Sequence, residues 1–178
     1  MRMMIVNEIA YKERDNQVFM EDTLFSLKAL HTVEKLHYLR AYKILRHVMV
    51  KGCETDVVAF AMTENERAER LIGFELKASD IRKALAQAYE RRTYFDYFYI
   101  IIDLSVYFMI KEIMKQWKYI RKFGIGIISV RESKWNTFTV VVKSKYKKRE
   151  DIPVETDEKT KDQTSIAQFT SNLLDYLS

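Results

Sequence analysis

Scarcity marks this 178-residue chain: it holds one cysteine, one proline, four glycines and three histidines. A lone Cys53 excludes an internal disulfide and any cysteine-based zinc or iron–sulfur cluster, and it fits a reducing intracellular setting. His31, His37 and His47 fall at no metal-ligand spacing and are expected to be structural or surface residues. With so little glycine and proline, loops should be few or short and long secondary elements should dominate. No internal repeat is visible. The most apolar run, Tyr97 to Ile102, lies between Asp96 and Asp103 and falls far short of the ~20 residues a membrane helix needs, so no membrane partner is expected. Met1 to Ala10 lacks the apolar stretch and small-residue cleavage site of a secretory signal. The mature chain is therefore expected to begin here and to act in the cytoplasm or another intracellular compartment, the host cell of a virus included, and not to be secreted.

What is present suffices for a packed core: 48% of residues are hydrophobic and 13% aromatic, and at this length one domain is the default. Thirty Lys and Arg against twenty-five Asp and Glu give a formal charge of +5, compatible with a polyanionic partner and equally with ordinary surface charge. Apolar residues at three- and four-residue steps (Leu24, Leu27, Leu30 or Ala29, Val33, Leu36) predict a helix from Thr23 to about His37, with Asp22 able to cap it. Tyr42 to Val50 reads as a strand ending at Gly52. Thr55 to Met62 and Leu71 to Ala78, separated by a polar turn, read as a hairpin.

Ser79 can cap a helix running to about Arg92, with Asp80 in its first turn and Ile81, Ala84, Leu85, Ala88 and Arg92 on one face. Phe95 to Ile102 follows as a strand buried on both sides, so the helix is a crossover between parallel strands. A further helix, about Leu104 to Arg121, is expected to turn Tyr107, Ile110, Met114 and Trp117 inward and Lys111, Lys115, Lys118 and Lys122 outward. Strands over 124–130 and 137–146 close an α/β domain, residues 1–149, around a central mixed sheet of about five strands flanked by helices. Residues 150–163, acidic and polar around Pro153, read as a linker. Residues 164–178 read as an amphipathic helix carrying Ile166, Phe169, Leu173, Leu174 and Leu177, to pack on the domain or on another chain.

The chemistry is expected in the hairpin. Side chains two apart on a strand share a face, which sets Glu75 and Lys77 on one side and Phe74 and Leu76 on the other, while Asp56 on the preceding strand can reach the same end of the sheet. A Glu and a Lys inside an apolar strand call for compensation, and a divalent cation supplies it. Two carboxylates and a backbone carbonyl, that of Leu76, are hard oxygen ligands suited to Mg²⁺ or Mn²⁺. Such an ion acidifies bound water and neutralises a phosphate under in-line attack, with Lys77 orienting or deprotonating the water.

An acid on one strand, Glu-X-Lys on the next, then a helix and a buried strand: in Asp56, Glu75-Leu76-Lys77 and the segment 79–103 the chain resembles the PD-(D/E)XK nuclease, or restriction-endonuclease-like, superfamily. The similarity covers roughly residues 23 to 130 by order of elements and rests on three or four diagnostic residues. Thr55 stands where the name-giving proline often does. The resemblance implies a restriction-endonuclease-like core and a Mg²⁺- or Mn²⁺-dependent nuclease acting on DNA. It implies a catalytic set of Asp56, Glu75, Lys77 and Gln87, and metal ligands Asp56, Glu75 and the Leu76 carbonyl, joined by Glu21 or else Glu34 from the first helix. It is also compatible with a homodimer.

Arg82, Lys83, Arg91, Lys111 and Lys115 are candidates to track a phosphate backbone, and a solvated helix face explains them as well. Lys143, Lys145 and Lys147 read as guards of an exposed strand edge. Tyr94, Tyr97, Tyr99 and Trp135 read as core or core-edge residues. The competing reading of the same fold is a catalytically inactive module that binds nucleic acid or mediates assembly.

Overall fold

A computed structural model describes residues 24–131 and 138–150. Helix α1 (Leu27–His37) leads into strands β1 (Leu39–Val50), β2 (Cys53–Thr63) and β3 (Glu69–Lys77). Helix α2 (Ile81–Arg91), a 3-10 turn (Arg92–Tyr94), β4 (Tyr97–Ile102), α3 (Val106–Phe123), β5 (Ile125–Ser129) and β6 (Thr139–Val142) follow. The strands form one mixed sheet in sequence order. β1 to β3 are antiparallel, β3, β4 and β5 parallel, and β6 antiparallel to β5. The sheet thus has six strands, one more than expected, with helices on both faces as anticipated. Glu21, the linker and the terminal amphipathic segment lie outside the described residues, as do Asp22 and Trp135.

The hairpin joining β1 and β2 turns through Lys51 and Gly52, both at positive φ (51° and 76°), with Val50 paired to Cys53. This is the two-residue turn whose twist matches that of paired strands, and Gly52 adopts it without steric cost. β3 passes into β4 through α2, and β4 into β5 through α3. Both helices cover the same face, where Ala84, Leu85, Ala88, Met109 and Ile113 pack on Val58, Leu71, Ile100 and Ile127. α1 covers the other, packing Leu30 and Val33 against Val57, Phe74 and Leu76.

Local chemistry sets the helix ends. Ser26, not Asp22, caps α1 by accepting from the Ala29 N–H at 3.3 Å. Asp80, not Ser79, caps α2 by accepting from the Lys83 N–H at 3.0 Å. Gly73 in β3 is needed for close approach: a Cβ there would lie 2.7 Å from the Phe98 ring and 2.9 Å from that of Phe95.

Two expectations fail outside the site. On α3 the buried residues are Met109, Ile113 and Ile120, whereas Tyr107, Ile110, Met114 and Trp117 face solvent along with the lysines. α3 carries two apolar stripes about a third of a turn apart, and the sheet takes the one without aromatic rings. Lys143, Lys145 and Lys147 are not on a strand edge either, because β6 ends at Val142. The chain beyond it runs across the entry ends of β4 and β5, where the Lys145 and Lys147 N–H groups donate to the carbonyls of Gly124 and Asp96.

Candidate metal centre

β3 is buried on both sides, the charged one included: Glu75 is 0% exposed and Lys77 7%. Glu75 and Lys77 alternate with Phe74 and Leu76, which pack under α1, and therefore lie beneath α2. Register brings the acids together. β2 and β3 pair through Val57 and Phe74, and one step further Asp56 stands opposite Glu75. The half-buried Asp56 accepts the Leu76 N–H on Oδ2 at 2.7 Å, which extends the ladder by a side chain where backbone pairing stops.

Two cations meet these acids. Lys77 Nζ donates to the Leu76 carbonyl at 2.9 Å and lies 3.1 Å from Glu75 Oε1, off hydrogen-bonding geometry for that oxygen. Arg91 Nη1 donates to Glu75 Oε2 from the last turn of α2. Arg91 was grouped with Arg82 and Lys83 as a surface contact for nucleic acid. It is instead 8% exposed and belongs to the Glu75 cluster, because the crossover helix ends over β3.

Burial, then the charge of Asp56, pushes the Glu75 carboxyl up to about 7, against the pull of Arg91 and Lys77. Asp56 is also raised by burial, opposed by the Leu76 N–H and by the charges of Lys77, Arg91 and His47. Like-charged carboxylates sharing a desolvated site compete for one proton, and a divalent cation relieves that competition.

Gln87 lies one helical turn before Arg91 on α2, on the same side, and its Oε1 is buried without a hydrogen-bond partner. Glu34 is engaged elsewhere: its Oε1 accepts from the Ala41 N–H at 2.6 Å, on a helix that packs on the face opposite Glu75. Arg82 is exposed and pairs with Glu112 of α3 at 3.1 Å, tying the two helices together, and Lys115 meets the same Glu112 at 3.5 Å from within α3. Lys83 and Lys111 are exposed.

His47, read from the sequence as a structural or surface residue, pairs with Glu54 on the surface and also neighbours Asp56. It stands between the paired residues Arg46 and Val48, opposite Asp56, at a φ of 52°, with Nδ1 2.8 Å from Glu54 Oε1. Only the strand register brings it to Asp56, so spacing along the chain held no signal for it. His31 meets Glu34 on the surface, and His37 packs on Tyr97 with its Nε2 2.7 Å from the Tyr99 hydroxyl. Burial, with the charge of Lys143, lowers His37 to about 4 and keeps it neutral.

No protein-family model matches this chain. No curated protein and no solved structure matches it either.

The donor set fits one hard cation. Glu75 Oε1 is a buried carboxylate oxygen without a hydrogen bond, and Lys77 Nζ lies against the two oxygens, Glu75 Oε1 and the Leu76 carbonyl, expected to ligate an ion. Among the described residues no group of three or more His, Cys, Asp and Glu that could hold a metal ion is found. No described helix is long and apolar enough to cross a membrane.

Proposed function

We propose that this chain is a metal-dependent nuclease of the restriction-endonuclease-like kind, hydrolysing phosphodiester bonds in DNA with Mg²⁺ or Mn²⁺. The observation that carries the reading is the meeting of Asp56 and Glu75 across β2 and β3, with Lys77 on the same face and the crossover helix α2 closing over them. The order helix, three antiparallel strands, helix, parallel strand supports it, since the resembled superfamily has its acid and its Glu-X-Lys on successive strands ahead of that helix.

When bound by Asp56, Glu75 and the Leu76 carbonyl, the cation supplies charge neutralisation at the phosphate and an acidified water. The remaining steps belong to this chain's side chains. Arg91 holds Glu75 by Oε2 and leaves Oε1 beside Lys77. Lys77, released from Oε1 and the Leu76 carbonyl, is left beside the reacting phosphate, where its ammonium steadies the phosphoryl oxygens or its amine takes a proton from water. Gln87 presents an unsatisfied buried carbonyl oxygen from the same side of α2, able to accept from that water. The exposed Lys83 on α2 is the contact offered to the DNA backbone.

A specific observation favours the second reading, an inactive module of the same fold. Lys77 and Arg91 already pair with Glu75, so the buried acid has cationic partners without a metal ion. The two are separated by incubating duplex, single-stranded, flap and four-way-junction DNA with Mg²⁺ or Mn²⁺, alongside Glu75→Gln, and by titrating Mn²⁺ into both proteins. Cleavage and saturable Mn²⁺ binding that the variant loses support the nuclease. Salt-sensitive DNA binding indifferent to metal and to Glu75→Gln overturns it in favour of the module.

A further inference from the structure

A surface helix needs one apolar stripe, and α3 has two. Met109, Ile113 and Ile120 face the sheet. Tyr107, Ile110, Met114 and Trp117, at steps of three and four, are 80%, 43%, 62% and 38% exposed. Such a continuous exposed ridge marks a contact surface. Along one flank run the exposed lysines Lys111, Lys115, Lys118 and Lys122, and with Arg121 the helix carries five cations against Glu112 alone.

That combination selects the occupant. A second copy of the helix would set lysines against lysines. A nucleic acid would engage the lysines and leave Ile110 and Met114 bare. The chain itself contains a segment of the complementary kind: residues 164–178 have Ile166, Phe169, Leu173 and Leu177 at three- and four-residue steps, and residues 151–178 hold six acids against two lysines. As a helix, Ile166 to Leu177 would span about 16 Å, and Tyr107 to Trp117 on α3 spans about 15 Å.

The exit point suits the same pairing. The Lys147 ammonium donates to the Lys122 carbonyl in the last turn of α3, and the Glu150 N–H donates to the Thr93 carbonyl at 2.9 Å. From there residues 151–165 can extend ~50 Å, and α3 is only ~27 Å long. We propose that residues 164–178 cover the Tyr107–Trp117 stripe of α3 in the same chain, the acidic stretch before them lying along its lysines.

The test uses the full-length chain with Trp135→Phe, leaving Trp117 as the sole tryptophan. Phe169→Asp with Leu173→Asp should shift Trp117 emission to the red and speed its quenching by iodide, while Phe169→Leu with Leu173→Met should leave both as they were. Unchanged emission in the Asp pair overturns the proposal. So does sedimentation showing a dimer that the Asp pair dissolves, since the surface would then be shared between copies. A second measurement keeps the mutations off the segment: chymotrypsin should cut after Phe169 slowly in the unsubstituted chain and several-fold faster in Met114→Glu. Equal rates refute the docking.

Discussion

Glu75 offers the sharpest test of the site because its burial can be read as a pH dependence. In the folded protein its carboxyl is held at about 7 against an ordinary value of 4.5, so over that interval the native state keeps a proton the unfolded chain has released. The raised value means that Glu75 contributes stability fully below pH 4.5 and loses it as pH rises through 7. At 1.36 kcal/mol per unit, the whole window is worth roughly 3 kcal/mol, most of it between pH 5 and pH 8. The proton is shared with Asp56, so the step belongs to the pair. Urea unfolding of the wild type and Glu75→Gln in chelator at pH 5, 6, 7 and 8 measures it. The wild type's stability relative to the variant should shrink by that amount as pH rises. A difference flat in pH would mean that Arg91 and Lys77 hold Glu75 ionised in the fold as in the unfolded chain, and the reasoning about desolvation would be refuted. With Mg²⁺ present the sign reverses: the ion binds the deprotonated pair, so its stabilisation should grow with pH, reaching about 2.7 kcal/mol at a hundredfold excess over Kd.

The other expectations are simpler. Asp56→Asn and Lys77→Met should each lower Mg²⁺-dependent cleavage by on the order of 10²–10³ while leaving DNA retention in a gel unaltered, and activity kept by both would remove the catalytic assignment. Arg91→Met should destabilise by about 3 kcal/mol at pH 8 by leaving buried Glu75 with Lys77 as its one remaining described cation, and by less at pH 5, where Glu75 takes a proton; urea titrations at the two pH values check the ordering. Gly73→Ala, by driving a methyl into the Phe95 and Phe98 rings, should cost about 1–3 kcal/mol and be partly relieved by Phe98→Leu, as unfolding midpoints would record. Asp80→Ala should cost about 1 kcal/mol and Ser79→Ala almost nothing, which would invert if Ser79 were the cap.

The elements that place the site were legible because β3, α2 and β4 each announce themselves locally: an alternating strand, a 3.6-residue apolar face and an apolar run too short for a helix of its own. Asp56 and Glu75 could be paired in advance since a hairpin fixes register once its strands are found. What failed depended on choices between equivalent local signals. α3 presents Tyr107–Ile110–Met114–Trp117 and Met109–Ile113–Ile120 at the same period, and periodicity cannot say which stripe meets the sheet. Ser79 and Asp80 both have side chains that cap, and only the turn geometry decides. Arg91 looks like any surface arginine until α2 folds it back over a residue sixteen positions earlier, and His47 becomes a neighbour of Asp56 only through β1–β2 pairing.

Arg91 and Arg92 take different partners at the end of α2. The first holds Glu75; the second, 1% exposed, donates to the carbonyls of Phe95, Asp96 and Lys145. Arg91 is therefore tied, one peptide away, to the backbone beyond β6. Slackening that far anchor, by truncating Arg92, would let the helix end drift and loosen the grip on Glu75 from behind, without touching a single atom around the acids.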